Sequence, residues 1–340
     1  MLYIEDSFSD PYTNLAAEEY LLKNFSESLF RLWRNNNAII VGRYQNTLAE
    51  INPEYVKSHN IKVVRRLTGG GAVFHDLGNL NFTFIERRIE GEESSAMFRR
   101  FTAPILEALN AIGVKAYLEG RNDLLIDGRK FSGNAVCIWK ERVLQHGTLL
   151  FSAFMPDVAG ALKSRPEKFQ GKAVQSNRSR VTNISEHLPD GSDIKSVEDF
   201  QRYLADFICN RAGSVGAEAM VPYKYTEEDL AAIKRLRDEK YSQESWNYGE
   251  SPKYSFYKSA KLTGGIVEVN MNVEKGMVTA LEIYGDYFFT KPTEEFAKLL
   301  LGESGELRHT PEEFAKRLKG IDIPQYFNNT TKEELMELFF

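Results

Sequence analysis

Apolar positions recur along this chain with two different periods, and together they map a mixed set of helices and strands. Asn14 to Leu22 places apolar residues among acids at helical spacing. A longer helix is predicted over Ser94 to Ile112, where Phe98, Phe101, Ile105, Leu109 and Ile112 share one face. Pro104 lies inside that second pattern and predicts a kink or a late start, because proline lacks the amide a helix interior uses. Leu29 to Trp33, Ala38 to Val41, Lys62 to Val64 and Leu80 to Ile85 carry the β-branched and aromatic enrichment of strands. Asp123 to Phe151 reads as an antiparallel meander, with Asp127-Gly128 as a two-residue hairpin turn. Helices follow over Ser196 to Arg211 and Thr226 to Tyr241, the second opened by a Thr-x-x-Asp cap.

Periodicity is lost from Tyr241 to Tyr254, where turn residues gather. Beyond that break, Gly265 to Asn272 and Met277 to Tyr284 alternate around Glu274-Lys275-Gly276 as a hairpin. Three amphipathic helices complete the tail, one of them started by Thr310-Pro311. Strands and helices in this mixed order predict an α+β fold. We expect a large mixed or antiparallel sheet domain flanked by helices over residues 1–243, a linker at 244–249, and a small α+β accessory domain over 250–340. The length of 340 residues agrees, since it exceeds the comfortable size of a single core.

Composition narrows the function more than the fold. A net charge of −5 argues against broad binding to nucleic acid or acidic membrane, while leaving room for a local basic pocket. No apolar run approaches the roughly 18 residues of a membrane span. Met1 to Asp6 holds acids where a secretory signal has a basic region, so a cytoplasmic location is expected. Cys137 and Cys209 are too few for a disulfide scaffold or a zinc site, and the five histidines lack metal-ligand spacing.

The run Arg65-Arg66-Leu67-Thr68-Gly69-Gly70-Gly71-Ala72-Val73-Phe74-His75-Asp76-Leu77-Gly78-Asn79 sets two cations and three consecutive glycines between two predicted strands. Glycines allow successive amides to point at one anion, and arginines add charge-assisted contacts to it. A glycine hairpin with solvated arginines fits the same residues. Neither the P-loop pattern nor a dinucleotide-binding G-x-G-x-x-G motif is present. In the meander, simple alternation puts Lys130, Ser132 and Asn134 on one face and Phe131, Ala135 and Cys137 on the other. Cross-strand pairing adds Asp123 and Leu125 to the Lys130 face. That face is either an ordinary polar surface or part of a site. His146 and Thr148 reach it only if the turn between Trp139 and Val143 holds an odd number of residues or the strand bulges. Lys172 and the stretch Arg178 to Asn183 form a basic segment that reads equally as a solvated loop or as a phosphate contact.

Read in order, RRLTGGGAVFHDLGNLNFTF, GRNDLLIDGRKFSGNA, QHGTLLF, RSRVTN, WNYGESPKY and GGIVEVNMNV resemble the lipoate-protein ligase A family, within the wider group of biotin and lipoate ligases. The resemblance covers essentially the whole chain. It implies a biotin/lipoate ligase-like fold and a two-step reaction. Lipoate and ATP give lipoyl-adenylate and pyrophosphate, and the lipoyl group then passes to a lysine of an acceptor. The implied acceptors are the lipoyl domains of dihydrolipoyl acyltransferase subunits and the glycine cleavage H protein. The implied catalytic residue is Lys130. For ATP the resemblance implies Arg66, Gly71, Ala72, Val73, Phe74, Lys130, Lys172 and Arg180, the last two in a loop that closes over the adenylate. For lipoate it implies Trp33, Arg66, Gly69, Gly70, His75, Lys130, Ser132, Gly133, His146 and Thr148. One Mg²⁺ is implied beside Asn122 or Asp123, and the protein is expected to act as a monomer.

The chemistry suits these residues. A carboxylate already ionised at neutral pH needs alignment and charge screening rather than a base. A cysteine-dependent octanoyltransferase or lipoyl amidotransferase would instead need a thiolate in the pocket. Alternation places Cys137 opposite Lys130, and Cys209 sits among apolar helix residues, which weighs against that alternative. A non-catalytic lipoate-binding protein is the second alternative. A biotin ligase is disfavoured because RRLTGGGAVF stands where such enzymes carry a GRGR-type loop.

Overall fold

The structure, a computed structural model, describes residues 1–45, 47–120, 122–154, 162, 181–214, 220–248, 256–274 and 276–340. Helix α1 spans Pro11–Asn24, longer at both ends than its apolar repeat, because Asp10 caps it and Pro11 fills its first turn. The helix Ser94–Ala111 runs without a late start, carrying Pro104 inside it. Thr226 and Asp229 form the reciprocal cap expected at the start of the helix Glu227–Leu236.

Strands β1 (Leu2–Ile4) and β2 (Leu29–Trp33) enter the large sheet, whereas β3 (Ala38–Val41), β4 (Lys62–Arg65) and β5 (Val73–His75) form a separate small one. The large sheet continues with β6 (Asn79–Arg87), β7 (Ala116–Glu119), β8 (Asp123–Ile126), β9 (Arg129–Trp139), β10 (Arg142–Leu150) and β11 (Val221–Tyr223). Its order is β11-β1-β2-β6-β10-β9-β8-β7, mostly antiparallel with parallel pairing around β1. The small sheet has the order β4-β3-β5. A third sheet, built from β12 (Phe256–Leu262), β13 (Gly265–Glu274), β14 (Met277–Gly285) and β15 (Leu307–Arg308), carries the tail helices.

The two faces of the large sheet do different work. Phe30, Leu32, Phe82, Phe84, Val136 and Val143 point to the core beneath the helices Ser94–Ala111 and Val197–Ser214. The other face can be read in rows of paired residues. Leu29, Ile85, Leu144 and Cys137 form one row, and α1 covers it with Leu21 and Leu22. Arg31, Thr83, His146 and Ala135 form the next, and Trp33, Asn81 and Thr148 the one after.

The meander departs from simple alternation at one point. The Asp127-Gly128 turn is as expected, with both residues at positive φ. Leu125 pairs with Lys130, but Leu124 pairs with Ser132, so Phe131 is an extra residue in β9. Asp123 pairs with Gly133. Phe131 and Ser132 therefore both turn to the core side, and Lys130 shares its face with Gly133, Ala135 and Cys137. The expected grouping of Lys130 with Ser132 and Asn134 is thus corrected. Trp139 pairs with Arg142, a two-residue turn, so it is the bulge that puts His146 and Thr148 on the Lys130 face.

Candidate functional site

A cavity of about 290 Å³ lies between the open rows of the large sheet and the small sheet. Trp33, Asn81, Thr148, Ala135 and His146 come from the rows just described, and Gly133 from β9 opposite Asp123. Arg66, Gly70, Gly71, Ala72, Val73 and His75 come from the glycine run, and Lys130, Asp123 and Asn122 stand at the β8–β9 end. Leu15 of α1, Ile40 of β3, and Asp286 and Phe288 from the tail complete the wall.

The two neighbouring arginines have separate fates. Arg65 is buried and donates to the carbonyls of Gly42, Arg43, Gln45, Trp246 and Asn247 and to Thr47 Oγ1, so it is a structural clamp rather than an anion ligand. Arg66 donates to Thr68 Oγ1 (2.8 Å) and to the carbonyls of Ile40, Gly69 and Gly71. No direct carboxylate partner of Arg66 is found among the described residues. Burial pushes its guanidinium down to about 10. A buried cation whose direct partners are neutral dipoles, with the Glu18 charge acting only from a distance, is costly until an anion arrives, and this one lines a cavity.

Lys130 Nζ lies 2.7 Å from Asp123 Oδ1, with both groups partly open to solvent. A Cβ on Gly133 would come within 3.2 Å of that Nζ, so glycine there lets the lysine lie across the strand. Thr182 N donates to the Lys130 carbonyl and Val181 bridges the same residue, which anchors the end of the basic segment beside Lys130. Lys172 and Arg180 lie outside the described residues.

His146 Nδ1 is 3.0 Å from both oxygens of Glu18, and its Nε2 is 2.8 Å from Thr68 Oγ1. Burial alone would raise the Glu18 carboxyl, but the contacts with His146 and Thr83 leave it below the ordinary glutamate value. Trp33 Nε1 donates to Thr83 Oγ1 (2.8 Å), which ties the indole to the same network. His75 is fully buried, and burial pushes its ring down to about 3, so it is neutral.

Of the residues expected in the site, Ser132, Gly69 and Phe74 do not line the cavity. The β9 bulge turns Ser132 to the core, where Asn134 Nδ2 donates to it. Phe74 packs with Ile39 and Val63 behind the small sheet. Gly69 instead admits the tail, since a Cβ there would lie 2.4 Å from the Tyr287 carbonyl oxygen. Glu18, Thr68, Asp286 and Phe288 were not among the expected site residues. Adjacent acids in the apolar stretch Leu15-Ala16-Ala17-Glu18-Glu19 are a readable signal for Glu18, whereas nothing local in Asp286 or Phe288 points to a cavity so distant in sequence.

Cys137 requires a correction of a different kind. The bulge brings it to the Lys130 face, so facing cannot exclude it as a nucleophile. Its row is covered by α1, where it packs against Leu21, Leu22 and Leu144, and burial pushes its thiol up to about 12. Cys209 is also raised by burial. Neither supplies a thiolate at neutral pH.

The fold is that of the lipoate ligases. Residues 10–208 match the lipoyl protein ligase A/B catalytic domain, and residues 251–339 match the bacterial lipoate protein ligase C-terminus. The chain belongs to the lipoate-protein ligase family. It is 41% identical to lipoate-protein ligase LplJ of Bacillus subtilis over the full length of both chains. Among solved structures, it resembles P. falciparum LipL1 in complex with lipoate, with a TM-score of 0.74 at 25% identity over 99% of this chain and 97% of that one. A bipartite lipoate protein ligase from Thermoplasma acidophilum, solved with its E2 lipoyl domain, matches 75% of this chain and 98% of that one, with a TM-score of 0.64 at 26% identity.

Proposed function

We propose that this chain activates free lipoate with ATP at the cavity between its two N-terminal sheets and passes the lipoyl group to a lysine of a lipoyl-domain acceptor. The observation that carries this reading is one slot with two chemically different ends. Trp33 and His75 line one end, while Lys130 with Arg66 and the backbone of the glycine run bring positive charge and amides toward the other. A medium-chain acid fits that slot with its carboxylate near Lys130 and its tail toward Trp33. Lys130 would screen the repulsion between carboxylate and α-phosphate, and Arg66 with the Gly71 to Val73 backbone would hold the nucleotide. His146 and Thr148 would then lie along the acyl chain, since their strand stands between Trp33 and Lys130 in the sheet. Lys172 and Arg180 are assigned to the nucleotide on the family pattern alone.

Asp123 and Asn122 fit a Mg²⁺ ion in the manner typical of nucleotide sites, where one or two protein oxygens suffice and phosphates and water complete the shell. No group of three or more potential ligands for a metal occurs among the described residues, which agrees with that mode rather than with a resident metal centre. The ion would neutralise phosphate charge when bound with ATP. Asp123 would then exchange its Lys130 partner for it.

We assign residues 1–243 to the catalytic domain and 250–340 to an accessory domain. The acceptors would be the lipoyl domains of dihydrolipoyl acyltransferases and the glycine cleavage H protein, with the ligase acting as a monomer. The test is ATP–pyrophosphate exchange with lipoate, octanoate and biotin side by side, followed by mass analysis of each acceptor. Lys130→Ala should abolish exchange while leaving the thermal unfolding midpoint close to wild type, because the residue is partly exposed and fills no core. A folded Lys130→Ala protein with full exchange activity would remove Lys130 from the mechanism.

A further inference from the structure

His75 lines the cavity beside Trp33, across the sheet from Lys130. In the row that holds Trp33, Asn81, Thr148, Gly133 and Asp123, four inter-strand steps separate the first residue from the last, roughly 19 Å. The His75 and Trp33 rings lie 6.3 Å apart at the tail end of that span. His75 is 3% exposed, and its Nε2 has no hydrogen-bond partner among the described residues. The Nδ1 atom faces Asn35 Nδ2 at 3.1 Å.

A chain of buried groups determines where the ring proton sits. Asp6 accepts two hydrogen bonds from Arg31, at 2.7 and 3.1 Å. Arginine can only donate, so Asn14 turns its Oδ1 toward Arg31 Nη2 (2.6 Å). Asn14 Nδ2 then donates to the carbonyls of Phe8 and Arg34 and to Asn35 Oδ1 (2.8 Å). Asn35 is left with its Nδ2 toward His75, whose Nδ1 must accept. The proton of the neutral imidazole is therefore on Nε2, a buried atom of a ring that lines the cavity. Arg31, Asn14 and Asn35 are all buried and none of them lines the cavity.

We propose that the chain Asp6–Arg31–Asn14–Asn35 holds His75 as a fixed Nε2–H donor, and that this donor selects the dithiolane ring of lipoate over the methyl end of octanoate. The inference rests on reading the cavity as the lipoate site with its carboxylate toward Lys130. A dithiolane offers polarisable sulfur acceptors, whereas a saturated chain end offers none. The discrimination is asymmetric, because a buried donor left without a partner penalises the ligand that lacks the acceptor. Asn35 and Asn14 are positioning residues, acting through the histidine tautomer without touching ligand.

The test is ATP–pyrophosphate exchange by the full chain with lipoate and with octanoate, separating KM from kcat, for wild type, Asn35→Asp and His75→Phe. Asn35→Asp offers His75 Nδ1 an acceptor and draws the proton to that side, leaving a lone pair at Nε2. Both substitutions should lower the preference for lipoate over octanoate about fivefold, expressed in KM. Equal changes for the two acids in both variants overturn the inference. Nitrogen NMR of the wild-type imidazoles provides a readout that needs no variant. The Nε2–H tautomer is expected for His75, and an Nδ1–H tautomer overturns the relay. Wild-type enzyme that exchanges pyrophosphate with neither acid would sink the lipoate reading itself, whereas exchange with both and an unmoved preference sinks this inference alone.

Discussion

His75 shows how one side chain couples stability to pH. Its native ring titrates near 3, well below the unfolded value of about 6.5. Between those values the unfolded chain binds a proton that the native state refuses, so stability falls as pH falls through that window. From about pH 6.5 to about pH 5 wild type should lose roughly 2 kcal/mol more than His75→Phe, a difference that urea unfolding at the two pH values measures. Parallel pH slopes for the two proteins would mean that the native ring takes up the proton. Neighbouring side chains can differ just as sharply in role. Arg65→Met should cost about 3 kcal/mol of stability, because it orphans several buried carbonyls, and should leave the KM for ATP near wild type. Arg66→Ala should raise that KM at least tenfold, since it removes a charge-assisted phosphate contact. Interchanged outcomes would reverse the two assignments.

At the level of elements, periodicity located nearly every strand and helix that builds the site. The hairpin at Asp127-Gly128, the capped helix after Thr226 and the long helix from Ser94 are local events, decided by turn chemistry, caps and repeats within a few residues. The run from Arg65 to His75 also announced itself through residue types that have few other uses. Two things could not be read locally. The β9 bulge depends on how β8 and β9 pair, and Phe131-Ser132 contains no glycine or proline to mark it, so period-two counting went wrong downstream. The division of labour between Arg65 and Arg66 depends on which acceptors the turn at Gly42 and the helix Glu244–Asn247 present, and Trp246 and Asn247 lie far away in sequence. The shift that misplaced Ser132 is also the one that brings Lys130 and His146 together. A single unread residue therefore misplaced Ser132, Asn134 and Cys137 relative to Lys130, and it also supplied the bulge on which the facing of His146 and Thr148 was conditional.

On the scale of the whole molecule, the tail and the body exchange aromatic residues. Phe288 enters the main core and packs edge-on against Phe98, while Tyr44 stacks on Tyr287 in the core of the tail. Between these anchors, the amide of Gly70 donates to the Tyr287 carbonyl (3.4 Å). Arg43 and Tyr44 reach Glu294 from the other side. The joint thus runs along the glycine run itself, which also lines the cavity. Gly69→Ala should weaken this joint, because its Cβ would press on the Tyr287 oxygen. Small-angle scattering of that variant should show a larger radius of gyration than wild type, and an unchanged radius would mean that the tail yields locally instead.

The bulge in β9 also makes this part of the chain a parity device. With Phe131 as the surplus residue, Lys130 and Gly133 share a face although they stand three positions apart, and deleting Phe131 would keep them on that face by plain alternation. The lysine therefore reaches the cavity at this strand length only while the strand bulges, and a designer who kept every residue but drew β9 as a regular strand would turn the lysine to the oily side of the sheet without mutating it.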